Sequence, residues 1–203
     1  MERIMKTVLA IFSSLNGEQG NSSKLANEYL ATLEKNHDVT VKRVDLSKLD
    51  LPHLSSDEMQ SWMTPADERT DAQHALAKRS DDIVEAVKQA DELVLAVPMY
   101  NFGVPSSLKA YFDRIARAGI TFKYTENGPV GLLENKSATV FAARGGVYAG
   151  TEFDTQSPFL QHFLGFVGIS DVKFVYAEGL AMGEEQAKTA FAAASEKIIE
   201  LSA

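Results

Sequence analysis

The chain has 203 residues, a formal net charge of −8 at pH 7 and no cysteine. That length suits one domain, residues 1–203, with a sizeable core. The missing cysteines exclude disulfides, thiolate nucleophiles and thiolate metal ligands, and an acidic chain without a basic patch has no nucleic-acid footprint. No apolar stretch is long enough to span a bilayer, and Val8–Phe12 is too short for a signal peptide, so a cytoplasmic protein without membrane contact is expected.

Thr7–Phe12 is a continuous apolar run, the mark of a strand buried on both faces of a sheet. The turn formers of Ser13–Ser23 follow. Lys24–Lys35 then carries Leu25, Ala26, Tyr29, Leu30 and Leu33 at helical spacing. A strand, a Gly/Ser loop and a helix in that order leave unpaired N–H groups and a positive dipole end at the loop, suited to an anion. Ser14 and Ser22 add hydroxyls, and Gly17 and Gly20 let main chain approach closely. The loop has neither Gly-Lys-Ser/Thr nor GxGxxG, so it suits a phosphate monoester better than a metal-bound triphosphate. The plainer alternative is that Ser22 or Ser23 caps the helix.

Val39–Leu46 alternates apolar and polar, as a half-exposed strand near a sheet edge does. Ser47–Pro65 is polar and irregular, with His53, Trp62 and Met63 as isolated large groups, and is expected to decorate the surface, an active-site flap being the alternative. Ala66–Ala90 reads as one long helix. Leu93–Val97 is a second fully apolar strand, ended by Pro98, which cannot donate to a ladder. The polar-aromatic loop Met99-Tyr100-Asn101-Phe102-Gly103 follows, and a helix restarts at Pro105.

Ile120–Tyr124 alternates and leads to Asn127-Gly128-Pro129, a short strand and turn. Ser137–Ala143 is a fourth buried strand, ending in Arg144-Gly145-Gly146. The two glycines allow main chain to lie flat against a planar ligand, and Arg144 is either a surface charge or a binding group. Phe159–Val167 is apolar nearly all round, which demands burial in the core or against another chain. Asp171–Ala177 is a fifth strand. Glu184–Leu201 closes the chain as a helix with Ala187, Ala190, Phe191, Ala194, Ile198 and Leu201 on its inner face.

Strands alternating with helices make an α/β fold, a doubly wound parallel sheet of five strands with helices on both faces; the order taken for it is 2-1-3-4-5, with strand one beside strand three. Three loops then converge at the carboxyl ends of strands one, three and four, where such sheets bind ligands. One loop suits a phosphate and two suit a flat, hydrogen-bonding ring. Flavin mononucleotide (FMN) meets both demands.

Ser13-Ser14 with Gly20-Asn21-Ser22, Pro98-Met99-Tyr100-Asn101-Phe102, the run from Ala116 to Pro129 containing Phe122-Lys123-Tyr124-Thr125-Glu126-Asn127-Gly128-Pro129, Arg144-Gly145-Gly146, and Phe163-Leu164-Gly165-Phe166 together resemble the bacterial FMN-dependent NADH-azoreductase family. The resemblance covers essentially the whole chain. It implies a flavodoxin-like fold, a homodimer with active sites at the interface, one FMN per subunit, NADH as electron donor, and a quinone or azo compound as acceptor. Ser14, Gly20, Asn21 and Ser22 match the family's phosphate and ribityl loop. Met99, Tyr100, Asn101 and Phe102 match the loop along the isoalloxazine edge, and Ala143, Arg144, Gly145 and Gly146 the loop on the ring's other side. The phosphate loop is about one residue longer than the usual pattern. Ala143 stands where Ser is common, so a contact there must be main chain.

No acid–base dyad is expected, because the cofactor carries the hard step. Asn101 is the candidate for tuning the flavin. Tyr100 and Phe102 either fill the core or flank the cofactor, and the Phe159–Val167 helix with Tyr124 is the candidate roof from a second subunit. The competing readings are a flavodoxin-like single-electron carrier without its own substrate, a quinone reductase whose azo activity is incidental, and a phosphate-ester hydrolase, which lacks a nucleophile–base pair. His37, His53, His74 and His162 show no metal-ligand spacing.

Overall fold

The computed structural model describes residues 5–203. Seven strands and six α-helices follow in the order β1 (Lys6–Phe12), α1 (Asn21–Asn36), β2 (Val39–Asp45), α2 (Ser56–Met63), α3 (Asp71–Gln89), β3 (Glu92–Pro98), α4 (Ser106–Ile115), β4 (Phe122–Thr125), β5 (Gly128–Gly131), β6 (Ser137–Ala143), α5 (Gln156–Val167), β7 (Asp171–Ala177) and α6 (Glu184–Leu201). Five strands form one sheet in the order β2-β1-β3-β6-β7, every pair parallel. In the expected numbering this is 2-1-3-4-5, the flavodoxin-like arrangement. Among the described residues no helix is long and apolar enough to cross a membrane.

The period of two along a strand divides the core. On β3, Leu93, Leu95 and Val97 pack with Val87 of α3, Leu108 and Phe112 of α4 and Leu160 of α5. Val94 and Ala96 point the other way, against Leu25 and Leu30 of α1 and Ile198 of α6. All seven residues of β3 are buried, which is why its sequence is a run rather than an alternation. Its one charge, Glu92, accepts from Tyr29 Oη at 2.9 Å and Thr139 Oγ1 at 2.7 Å and faces Lys6 Nζ at 2.7 Å. β2 lies at the sheet edge, half-exposed as its alternation requires.

Several boundaries differ from the sequence expectation. α1 begins at Asn21, three residues before Lys24: extended Gly20 precedes it and its carbonyl accepts from Lys24 N at 3.0 Å. Asn21, Ser22 and Ser23 read as loop because their side chains favour turns in isolation. The long helix expected from Ala66 starts only at Asp71, where Thr70 and Gln73 form a capping box. β4 spans Phe122–Thr125, since Ile120 and Thr121 turn back onto the carbonyl of Arg117. It pairs antiparallel with β5, a strand absent from the sequence reading.

Most of the Ser47–Pro65 segment lies at the surface, as expected, but it is anchored through buried Glu58 and Ser61. It contains α2, capped by Ser55 Oγ, which accepts from Glu58 N. Glu58 lies almost fully buried and receives both arms of Arg114, from Nε at 2.7 Å and Nη2 at 2.6 Å. Arg117 stacks over the Trp62 ring at 4.7 Å and donates to Ser80 Oγ at 2.7 Å. These contacts pin α2 onto α3 and α4.

Candidate active site

β1, β3 and β6 deliver three loops to one end of the sheet. Ser13 Oγ donates to the carbonyl of Ala96 at 2.7 Å, fastening the first loop to β3. Tyr100 Oη accepts from Leu15 N at 3.2 Å, joining the first loop to the second. Met99 N donates to Ala143 O at 2.9 Å, which extends the ladder from the second loop to the third. Between these loops lies a cleft of about 270 Å³. Ser14, Gly20 and Asn21 line it from the first loop, Met99 and Tyr100 from the second, and Ala143, Arg144 and Gly145 from the third.

Four expected residues lie outside the walls of that cleft. Ser22 is fully buried in the first turn of α1. Asn101 and Phe102 stand exposed at the tip of the second loop, both with positive φ. Gly146 packs under Tyr148; a Cβ there would lie 2.7 Å from the Tyr148 hydroxyl. Neither Tyr100 nor Phe102 is core, the first half-buried and the second 51 % exposed.

Arg144 is neither a surface charge nor a free binding group. Its side chain is 1 % exposed, and its five N–H groups are engaged by Gln156 Oε1, both oxygens of Asp154, Glu178 Oε1 and Ser157 Oγ. Its plane lies over the Tyr176 ring. The guanidinium therefore holds the loop from behind. Glu178 also accepts from Tyr148 N and Ala149 N. Burial pushes the Asp154 carboxyl up, but hydrogen bonds from Ser157 and Arg144 outweigh it and hold the group below the usual carboxylate range.

A fourth loop also reaches the cleft. Leu180 and Ala181, after β7, line it, and Leu180 N and Ala181 N donate to the carbonyls of Arg144 and Gly145. The readable signal was Gly179, a turn former just past the carboxyl end of a parallel strand.

Beyond Met99 and Tyr100 the cleft adjoins a larger cavity of about 1070 Å³. Its walls combine Leu15, Leu54, Val104 and Phe159 with His53, Asn101 and the Lys109–Asp113 ion pair of α4. Mostly apolar walls with a few polar groups are the usual build of a small-molecule site.

The flavodoxin-like fold model matches residues 6–201. An FMN-dependent NADH:quinone oxidoreductase of Alteromonas mediterranea is 78 % identical over 197 residues, 97 % of this chain and 98 % of that protein. The chain belongs to the flavodoxin-like, FMN-dependent NADH:quinone oxidoreductase and azoreductase family. A second member, from Cellvibrio japonicus and carrying the same name as the first, is 52 % identical over 96 % of this chain and 97 % of its own. A crystal structure of an FMN-dependent NADH-azoreductase from Bacillus anthracis, solved in complex with FMN, superposes with a TM-score of 0.87 at 27 % identity, covering 98 % of this chain and all of that one.

The residues present fit the family's cofactor. The Oγ atoms of Ser22 and Ser23 are buried without a hydrogen-bond partner among the described residues, and no side chain caps α1. Both features leave polar groups waiting for an anion at the helix start. Gly20 has an ordinary φ of −62°, so its need is space: a Cβ would lie 2.2 Å from Ser14 Oγ. The capping alternative for Ser22 and Ser23 does not hold, because both lie inside α1, beyond its Gly20 cap.

Proposed function

We propose that this chain is a cytoplasmic, homodimeric FMN-dependent NADH:quinone and azo-compound oxidoreductase, one domain and one FMN per subunit, whose donor and acceptor use one site in turn (a ping-pong scheme). The observation that carries an enzyme over an electron carrier is the 1070 Å³ cavity sharing Met99 and Tyr100 with the cofactor cleft. A protein that passes single electrons to a partner needs no such chamber. When bound, FMN would supply hydride acceptance from NADH and hydride delivery to a quinone, or, over two such rounds with protons from solvent, to an azo compound that ends as two aromatic amines.

The chain's own residues bind, orient and enclose. The unpaired N–H groups at Asn21 and Ser22 and the Ser22 hydroxyl hold the phosphate, with the α1 dipole favouring its charge. Main chain at Met99–Phe102 and Gly145–Gly146 orients the ring, and the Asn101 amide at the exposed turn tip offers a donor to its polar edge. Phe102 and Tyr148, edge to face at 5.7 Å, form a rim that excludes water. Leu54, Val104 and Phe159 give the acceptor an apolar wall.

The dimer reading rests on surface that a single copy leaves open. α5 buries Leu160, Leu164 and Val167, half-buries Phe159, Phe163 and Phe166, and leaves Pro158, Gln161, His162 and Gly165 exposed. Tyr124 on the hairpin is 73 % exposed and Met63 on α2 is 81 % exposed. A second copy covering this face would roof the cavity through a twofold interface.

The deciding assay is NADH oxidation by the purified protein with a quinone or an azo dye and no partner protein. Turnover with parallel double-reciprocal lines supports the reading. Absence of turnover, with one-electron delivery to a protein partner, would return the carrier. A monomer by light scattering at full activity would remove the dimer.

A further inference from the structure

Thr155 and Gln156 open α5, yet Thr155 makes no side-chain cap to the helix. Both side chains reach instead to the turn after β3. Gln156 is fully buried. Its Nε2 donates to Pro98 O at 3.0 Å and to Gly103 O at 3.1 Å, while its Oε1 accepts from Arg144 Nε at 3.2 Å. Thr155 Oγ1 donates to the carbonyl of Phe102.

The turn they hold is a demanding one. Tyr100 N and Gly103 N donate to each other's carbonyls at 3.1 and 3.0 Å, and the two residues between, Asn101 and Phe102, have φ of +51° and +65°. Two successive positive φ values favour Asn-Gly; a phenylalanine in the second place is opposed by its own Cβ. About half of the Phe102 side chain stays exposed, so the turn does not rest on its packing alone. The start of α5 contributes three donors to it.

We propose that Gln156 is a positioning residue for the cofactor ring: its amide ties the Pro98–Gly103 turn to the Arg144 loop and so sets the spacing of the two loops that flank the ring, with Thr155 steadying the tip. The inference rests on FMN binding in the cleft just described. Gln156 touches neither the cleft nor the larger cavity, so its effect on the cofactor runs through main chain alone.

The test is Gln156→Glu, which keeps shape and the acceptor for Arg144 but removes both N–H donors. The Kd for FMN, read by fluorescence quenching of the apoprotein, should rise about tenfold, and the Kd for riboflavin by the same factor, because the ring and not the phosphate is displaced. The midpoint potential of the bound cofactor should shift with it. Thr155→Val, at an exposed position, should raise both Kd values about threefold and decides the matter if the glutamate variant fails to fold. Unchanged Kd values in a folded Gln156→Glu protein, or a loss confined to FMN, would overturn the proposal; if Thr155→Val must decide, unchanged Kd values overturn it there. Failure of the wild-type apoprotein to take up FMN would instead overturn the cofactor reading on which it rests.

Discussion

Replacing Ser22 with alanine should stabilise the apoprotein and weaken the holoprotein. Ser22 Oγ is buried in the second position of α1 with no partner among the described residues. A buried polar group without a hydrogen bond costs about 1–3 kcal/mol. Ser22→Ala removes that cost when FMN is absent. A gain of about 1 kcal/mol in a protein of this size raises Tm by roughly 2–4 °C. With FMN bound, the hydroxyl of the wild-type protein gains a charged acceptor, an interaction of about 1.5–3 kcal/mol that alanine forfeits. The Kd for FMN should therefore weaken roughly 10- to 150-fold. Riboflavin lacks the phosphate, so its Kd should not change. The assays are thermal melting of apoprotein and fluorescence titration with each flavin, in a buffer free of phosphate and sulfate. A serine that merely supports the helix predicts the reverse sign in the melt. A lower Tm in apoprotein, or equal losses for FMN and riboflavin, would refute the assignment of this hydroxyl to the phosphate.

Gly20→Ala places a Cβ 2.2 Å from the hydroxyl of Ser14, a side chain buried to 2 % exposure that has nowhere to swing; overpacking of about 1–3 kcal/mol should lower Tm and weaken FMN binding, read by melting and titration. Glu58→Ala leaves Arg114 charged and buried, a loss of about 3–5 kcal/mol, so Tm should fall by roughly 6–20 °C, and native-state hydrogen exchange should show α2 opening first. The depressed Asp154 carboxyl stabilises the native state fully above about pH 3.9, and that contribution disappears as pH falls through its lower folded value. Asp154→Asn should accordingly lower Tm at pH 7 and converge on wild type as both are acidified, in melts taken from pH 7 to pH 3.

Much of the fold is written in period. A run such as Leu93–Val97 must be buried on both faces, and runs of that kind separated by helical spacing leave a parallel sheet as the economical arrangement. The loops at the tips of β1, β3 and β6 were readable because a turn-rich stretch following such a run marks a strand's carboxyl end. Features whose signal is one capping side chain were harder to read. Ser55 and Thr70 decide where α2 and α3 begin, but a lone serine or threonine in a polar stretch looks like any other.

By itself the sequence determined the layers of this protein and which strands are buried on both faces, since hydrophobic period constrains those directly; the strand order, and with it which loops meet, came with the family resemblance and is set by how the crossovers pack. The partners of its charges were decided by tertiary structure. From its neighbours Arg144 reads equally as a surface charge or a ligand group, yet its side chain is saturated by Asp154, Gln156, Ser157 and Glu178. Glu58 meets Arg114 across 56 residues of chain. A guanidinium five bonds from the backbone can turn either way, and only the packed elements around it settle whether it faces a ligand or a carboxylate.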